Sequence, residues 1–188
     1  MAAKTYTREE FTKEFSPYVN TVIKGTGILA GTLFSQAVLE SSGKYNTGGQ
    51  WKVGGSKLAQ EANNFFGIKA DKSWKGKVYN IKTREVLNGK DSFVKDDFRK
   101  YDSVKDSIKD YVNFLLNNKR YKDAGVFNAK TVEEQAIALK KAGYATDPNY
   151  PKLVTGVYKS LKDSISDKFE DVVTVAKKAT EEVKKNPS

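Results

Sequence analysis

One carboxylate stands apart in this sequence. No charged residue occurs between Gly25 and Leu39, and Glu40 follows directly. The apolar residues before it, Ile28, Leu29, Leu33, Phe34, Val38 and Leu39, surround a helical wheel instead of lining one face, the pattern of a buried helix. Near the end of such a helix Glu40 meets two unfavourable terms, the helix dipole and desolvation. Desolvation penalises the charged form, so the pKa rises and the carboxyl stays protonated near neutral pH, as a general acid must. The plainer alternative is a helix-end carboxylate paired with Lys44 one turn on. Protonated carboxyls of this kind commonly serve glycoside hydrolysis, with a second carboxylate across the scissile bond. Candidates for the partner are Glu85, Asp91, Asp96 and Asp97, among which spacing does not choose.

Other chemistries are excluded by composition. The 188 residues include no histidine and no cysteine, so neither Ser-His-Asp nor thiol catalysis is possible, and no Cys/His zinc site can form. No cofactor and no metal are expected. Lys and Arg number 33 against 23 Asp and Glu, a formal charge of +10, which favours polyanionic partners. Nucleic acid is not the expected one, because the lysines are interspersed with acidic residues and no nucleic-acid motif occurs. A basic, non-catalytic wall-binding or nucleic-acid-binding module is the rival reading from a different class. The longest uncharged run is shorter than the roughly 20 residues of a membrane span, so no membrane insertion is expected. The first residues lack the apolar stretch of a secretory signal.

These residues need elements to hold them. Thr7 with Glu10 forms a capping-box pattern, and Phe11, Phe15, Tyr18, Val19 and Val22 follow at helical spacing. From Gly43 to Asp97 the helical period is lost. There, Val78–Thr83 and Glu85–Leu87 read as strand and Asn88-Gly89 as a tight hairpin turn, so the segment reads as a small β-lobe. Ser103 with Asp106, then Thr131 with Glu134, open further helices, and Gly143 closes the second of these. Pro151 suits the first turn of a last helix, striped by Val154, Val157, Tyr158, Leu161 and Ile165. The expected class is α+β, mainly α: a helical domain over residues 1–160 with a small β-hairpin lobe. A charged helical extension over 161–188 follows.

Four blocks, in order, resemble glycoside hydrolase family 73, the flagellar-muramidase and autolysin type of N-acetylglucosaminidase. They are Ile28 to Tyr45; Ala62 to Lys69, with Phe65 where the family has Leu; Trp74, Thr83–Glu85, Asn88-Gly89 and Phe98–Ser103; and Ala142 to Pro148 with Tyr150. The resemblance covers roughly Phe11 to Leu161. It implies a lysozyme-like fold and cleavage of the β-1,4 bond between N-acetylglucosamine and N-acetylmuramic acid in peptidoglycan. Glu40 then matches the general acid, Glu85 the second acid on the β-lobe, and Tyr144 an active-site tyrosine, although its own context reads as a core aromatic after a helix-ending glycine. Asn64, Phe66 and Trp74 are substrate-binding candidates, through an acetamido hydrogen bond and stacking on sugar rings. A muramidase or lytic transglycosylase on the same fold is the alternative. The implied partners are peptidoglycan strands and anionic wall polymers, and the implied place of action is the bacterial cell wall. Without a leader in the sequence, the expected origin is a phage lysin or virion protein, or a trimmed secreted protein.

Overall fold

The computed structural model describes residues 3–87, 90–162 and 165, with the backbone alone at 82–87 and 90–94. The elements run α1 (Arg8–Ile23), α2 (Ala30–Ser41), α3 (Lys57–Ala62), β1 (Val78–Leu87), β2 (Lys90–Arg99), α4 (Val104–Asn117), α5 (Lys119–Asp123), a 3-10 turn (Val126–Asn128) and α6 (Val132–Lys141). A last helix, α7, occupies residues 150–162. The class is the expected one, mainly helical with a single antiparallel hairpin among the described residues.

Local chemistry places the helix starts. At α1 the Thr7 hydroxyl accepts from the Glu10 amide and the Glu10 carboxylate accepts from the Thr7 amide, the full capping box. Ser103 and Thr131 each accept from the amide three residues on. At α6, however, Glu134 reaches the amide of Lys130 instead of that of Thr131. The start of α2 has no side-chain cap of its own. Gln135 supplies the tie from α6: its Oε1 accepts from the Leu29 amide at 2.9 Å, and its Nε2 donates to Gly27 and Val126 carbonyls. That gives the uncapped Leu29 amide and the buried Val126 carbonyl side-chain partners.

The helix that carries Glu40 is the molecule's centre. Every residue from Ala30 to Val38 is buried. Phe34 meets the edge of Phe11 at 5.9 Å, and Phe11 stacks on Phe65 at 5.6 Å. Leu161 and Ile165 are buried in the same core, so packing continues past the boundary expected after residue 160. Residues 166–188, most of the expected charged extension, lie outside the described residues, as does the Asn88-Gly89 turn.

The segment 43–77 differs from expectation. It is not a β-lobe but irregular chain with isolated bridges, Tyr6 to Val53 and Gly43 to Lys52, and one short helix, α3. Ser56 caps α3, whose six residues make less than two turns, too short for a helical period to show. Among the described residues the strands are β1 and β2, paired in register from Val78 with Arg99 to Leu87 with Lys90.

Candidate active site

Glu40 occupies the last turn of α2, half-buried, and opens onto a cleft of about 540 Å³. The walls come from distant parts of the chain: Phe66 to Lys69 and Asp71, Phe114 and Asn118 at the end of α4, Arg120 and Tyr121 on α5, and Gly143 with Tyr144. Burial pushes the Glu40 carboxyl up to about 7, against a hydrogen bond with the Tyr150 hydroxyl that works to lower it. Beneath the carboxyl runs a buried polar chain. Tyr150 is itself held by Gln36, whose Nε2 donates to the phenol oxygen at 2.7 Å, and the Tyr111 hydroxyl donates to Gln36 Oε1. This chain fixes the acid's support without placing a cation beside it. A group half protonated near pH 7 in an open cleft is equipped to give a proton to a leaving group.

Tyr144 reaches the cleft because of how α6 ends. Gly143 takes the left-handed conformation, φ +81°, and donates to the Lys140 carbonyl, while the Tyr144 amide donates to that of Leu139. This Schellman closure turns the chain back over the helix. The Tyr144 hydroxyl then donates to the Phe66 carbonyl at 2.8 Å, joining the α6 end to the opposite wall. Phe66 also lines the cleft, but its ring is 2% exposed and stacks on Tyr111 at 4.2 Å.

Asn64 is placed differently from its expected role. Its Nδ2 donates to the carbonyls of Ile68 and Arg99, and its Oδ1 accepts from the amides of Phe66 and Ile68. Both donors and both lone pairs are occupied by backbone. Asn64, 1% exposed, therefore shapes the 64–68 loop and leaves no amide atom for an acetamido group. Within the loop Gly67 has φ +66°, and its Cβ position lies 3.6 Å from Glu40 Oε2.

Trp74 lies outside the cleft lining. Its indole donates to the Lys77 carbonyl, and its ring covers the Arg99 guanidinium at 4.7 Å. Arg99 is the knot at the base of the hairpin: it pairs with Asp110 of α4 at 3.0 and 3.2 Å, approaches Asp71 at 3.8 Å and donates to the Lys69 carbonyl. Tyr101 completes it by donating to Asp110 at 2.6 Å. So the sugar face expected of Trp74 is turned to holding this knot. Of the second-carboxylate candidates, Asp96 is paired with Lys69 at 2.8 Å and Asp97 accepts from Asn80. Glu85 lies opposite Ser92 in the outer half of β1, and its side chain, like that of Asp91, lies outside what is described.

Several cleft residues escaped the sequence reading: Asp71, Arg120, Tyr121 and, below the acid, Gln36 and Tyr150. The Tyr150 position belonged to a recognised motif, and its helix-start setting carried no sign of contact with Glu40. The others carry no local signal at all.

Comparison with known proteins bears on this arrangement. The glucosaminidase family described as mannosyl-glycoprotein endo-beta-N-acetylglucosaminidase matches residues 16–163. The chain belongs to this family. Among glucosaminidase relatives, peptidoglycan hydrolase FlgJ of Escherichia coli (strain K12) is 40% identical over 143 residues, which are 76% of this chain and 43% of that protein. Exo-glucosaminidase LytG of Bacillus subtilis (strain 168) is 32% identical over 155 residues, covering 80% of this chain and 50% of LytG. The chain thus spans half or less of the length of these curated relatives. Its glucosaminidase fold is also that of the C-terminally truncated glycoside hydrolase domain from Salmonella typhimurium FlgJ. That likeness has a TM-score of 0.60 and 35% identity, and covers 83% of this chain and 98% of that domain.

Proposed function

We propose that this glucosaminidase cleaves peptidoglycan strands at the β-1,4 bond between N-acetylglucosamine and N-acetylmuramic acid. The carrying observation is Glu40 itself, a carboxyl pushed up to about 7 by burial yet open to a cleft. The peptidoglycan hydrolases and the exo-glucosaminidase among the relatives support the substrate and the bond. In the proposed reaction Glu40 protonates the glycosidic oxygen and Glu85, on the hairpin, activates water on the opposite sugar face. Tyr144 braces the cleft wall through the Phe66 carbonyl. An inverting pair of this kind stands about 6.5–9.5 Å apart with substrate bound. The +10 charge suits a site of action in an anionic bacterial wall.

Asp71 supports a second assignment for the base. It lines the cleft, and hydrogen bonds from Ser73 hold its carboxyl below the usual range, so it is ionised at neutral pH. Glu85→Gln and Asp71→Asn separate the two: the true base is the one whose loss abolishes turnover while binding persists.

The test is product analysis on purified peptidoglycan. After borohydride reduction, the new chain ends are expected as glucosaminitol. Muramitol ends would show a muramidase instead, and anhydro ends a lytic transglycosylase. Glu40→Gln is expected to lower turnover by about 10²–10⁴, the usual worth of a general acid. Normal clearing by a folded Glu40→Gln chain would sink the assignment.

A further inference from the structure

The cleft holds a cation that its internal chemistry does not use. Arg120, exposed on α5, lines the cleft together with Glu40 and Tyr144. Its Nη2 donates to the Tyr121 hydroxyl at 2.8 Å, and its guanidinium lies 4.8 Å from the centre of the Tyr121 ring. Tyr121 is fully buried, so it is a rigid seat. On the other side Gly143 adjoins Nη1, which lies 3.8 Å from its Cβ position.

The other cleft cation has an acidic partner, Lys69 with Asp96, and the neighbouring Arg99 is held by Asp110. No carboxylate of the described residues stands within ion-pair distance of Arg120. Nor does Arg120 tune the acid, since burial and the Tyr150 hydroxyl are what move the Glu40 carboxyl. A planar fork, held in place on an aromatic ring and with most of its N–H donors unspent, matches the two oxygens of a carboxylate.

We infer that Arg120 is the cleft's receptor for a carboxylate carried by the saccharide strand. This deepens the glycan-cleavage reading and rests on it. In that substrate a carboxylate occurs on the lactyl arm of the muramic unit where no peptide is attached, and on the stem peptide where one is. Arg120 thereby distinguishes muramic-acid-containing strands from neutral N-acetylglucosamine polymers that share the same β-1,4 bond.

Binding to the full-length chain carrying Glu40→Gln, measured by titration calorimetry, tests this without requiring turnover. The probes are peptide-free N-acetylglucosamine–N-acetylmuramic acid oligomers, peptide-bearing oligomers, and each with its carboxylates converted to methylamides. With Arg120 present, methylamidation is expected to weaken binding about ten-fold, the scale of one charge-assisted fork. With Arg120→Gln added, the acid and its methylamide should bind alike, and Arg120→Lys should restore part of the difference. Dependence on the peptide-free oligomer identifies the lactyl carboxylate, and dependence confined to the peptide-bearing one identifies the stem. Equal binding of acid and methylamide by the Arg120 chain, in both oligomer types, overturns the inference. So does an Arg120→Gln loss that is the same for acid and methylamide, which marks a merely structural role. If no oligomer binds and the unsubstituted enzyme releases no fragments from peptidoglycan, the glycan-cleavage reading falls, and this inference with it.

Discussion

At the scale of single residues, the proposed reaction turns on the protonation of Glu40. Activity that requires its proton is expected to fall as pH rises through about 7, and a pH–rate profile measures that limb directly. The Tyr150 hydroxyl works in the opposite direction to burial, lowering the Glu40 pKa, so Tyr150→Phe should move the limb to higher pH. The same carboxyl has a stability signature. Its folded pKa lies above the ordinary 4.5, so the native state holds an extra proton between about pH 4.5 and 7. Glu40 therefore costs the fold stability as pH climbs through that window, and the cost is complete above it. Glu40→Gln should raise the melting temperature at pH 8 relative to the parent and leave it nearly unchanged at pH 4. Glu40 was legible from sequence because it is the first charge after a long apolar run. Arg120 and Asp71 were not, because their meaning comes only from facing it across a folded cleft.

At the scale of elements, the hairpin is joined to the helices through a few residues at its base. Arg99, at the end of β2, lies between the rings of Trp74 and Phe114, at 4.7 and 5.4 Å, and grips Asp110 on α4. Arg99→Gln removes one partner of a nearly buried pair, at a cost on the order of 3 kcal/mol, visible as a lower urea midpoint. Trp74→Ala should lower stability too, while leaving affinity for short oligosaccharides close to the parent value. A large loss of affinity at unchanged stability would return Trp74 to the sugar-binding surface. The capped helices were readable in advance because Thr7, Ser103 and Thr131 act within four residues. The knot was not, because Arg99 joins Asp71, Trp74 and Asp110 across three segments, and an arginine at a strand end has many ordinary uses. Asn64 shows the same limit: its motif identified an important position, but its four backbone partners, spread from Phe66 to Arg99, decide what it does.

For the whole molecule, the excess of positive charge acts at long range. Exposed charges are screened within about 10 Å at 0.1 M salt, so retention on anionic polymers should weaken steeply as salt is added. Glu40→Gln should keep that retention, which separates wall attraction from catalysis in a pull-down with insoluble cell walls. The class of fold was legible from periodicity, and the core stripe Phe11, Phe15 and Val19 is buried as its spacing requires. The layout of residues 43–77 was not, because short turns and a six-residue helix are positioned by neighbours such as Tyr6 and Ser41 more than by their own pattern.

The polar chain below the acid also determines how the enzyme is reset. Its middle member, Gln36, is an amide between two phenols. An amide passes orientation from one hydroxyl to the next but neither gains nor loses a proton at neutral pH, so the chain is a brace and an insulator together. Through Gln36, then, no proton wire runs from Glu40 to Tyr111. In the proposed reaction each proton spent on a leaving group is therefore replaced from the open side of the cleft that Glu40 lines.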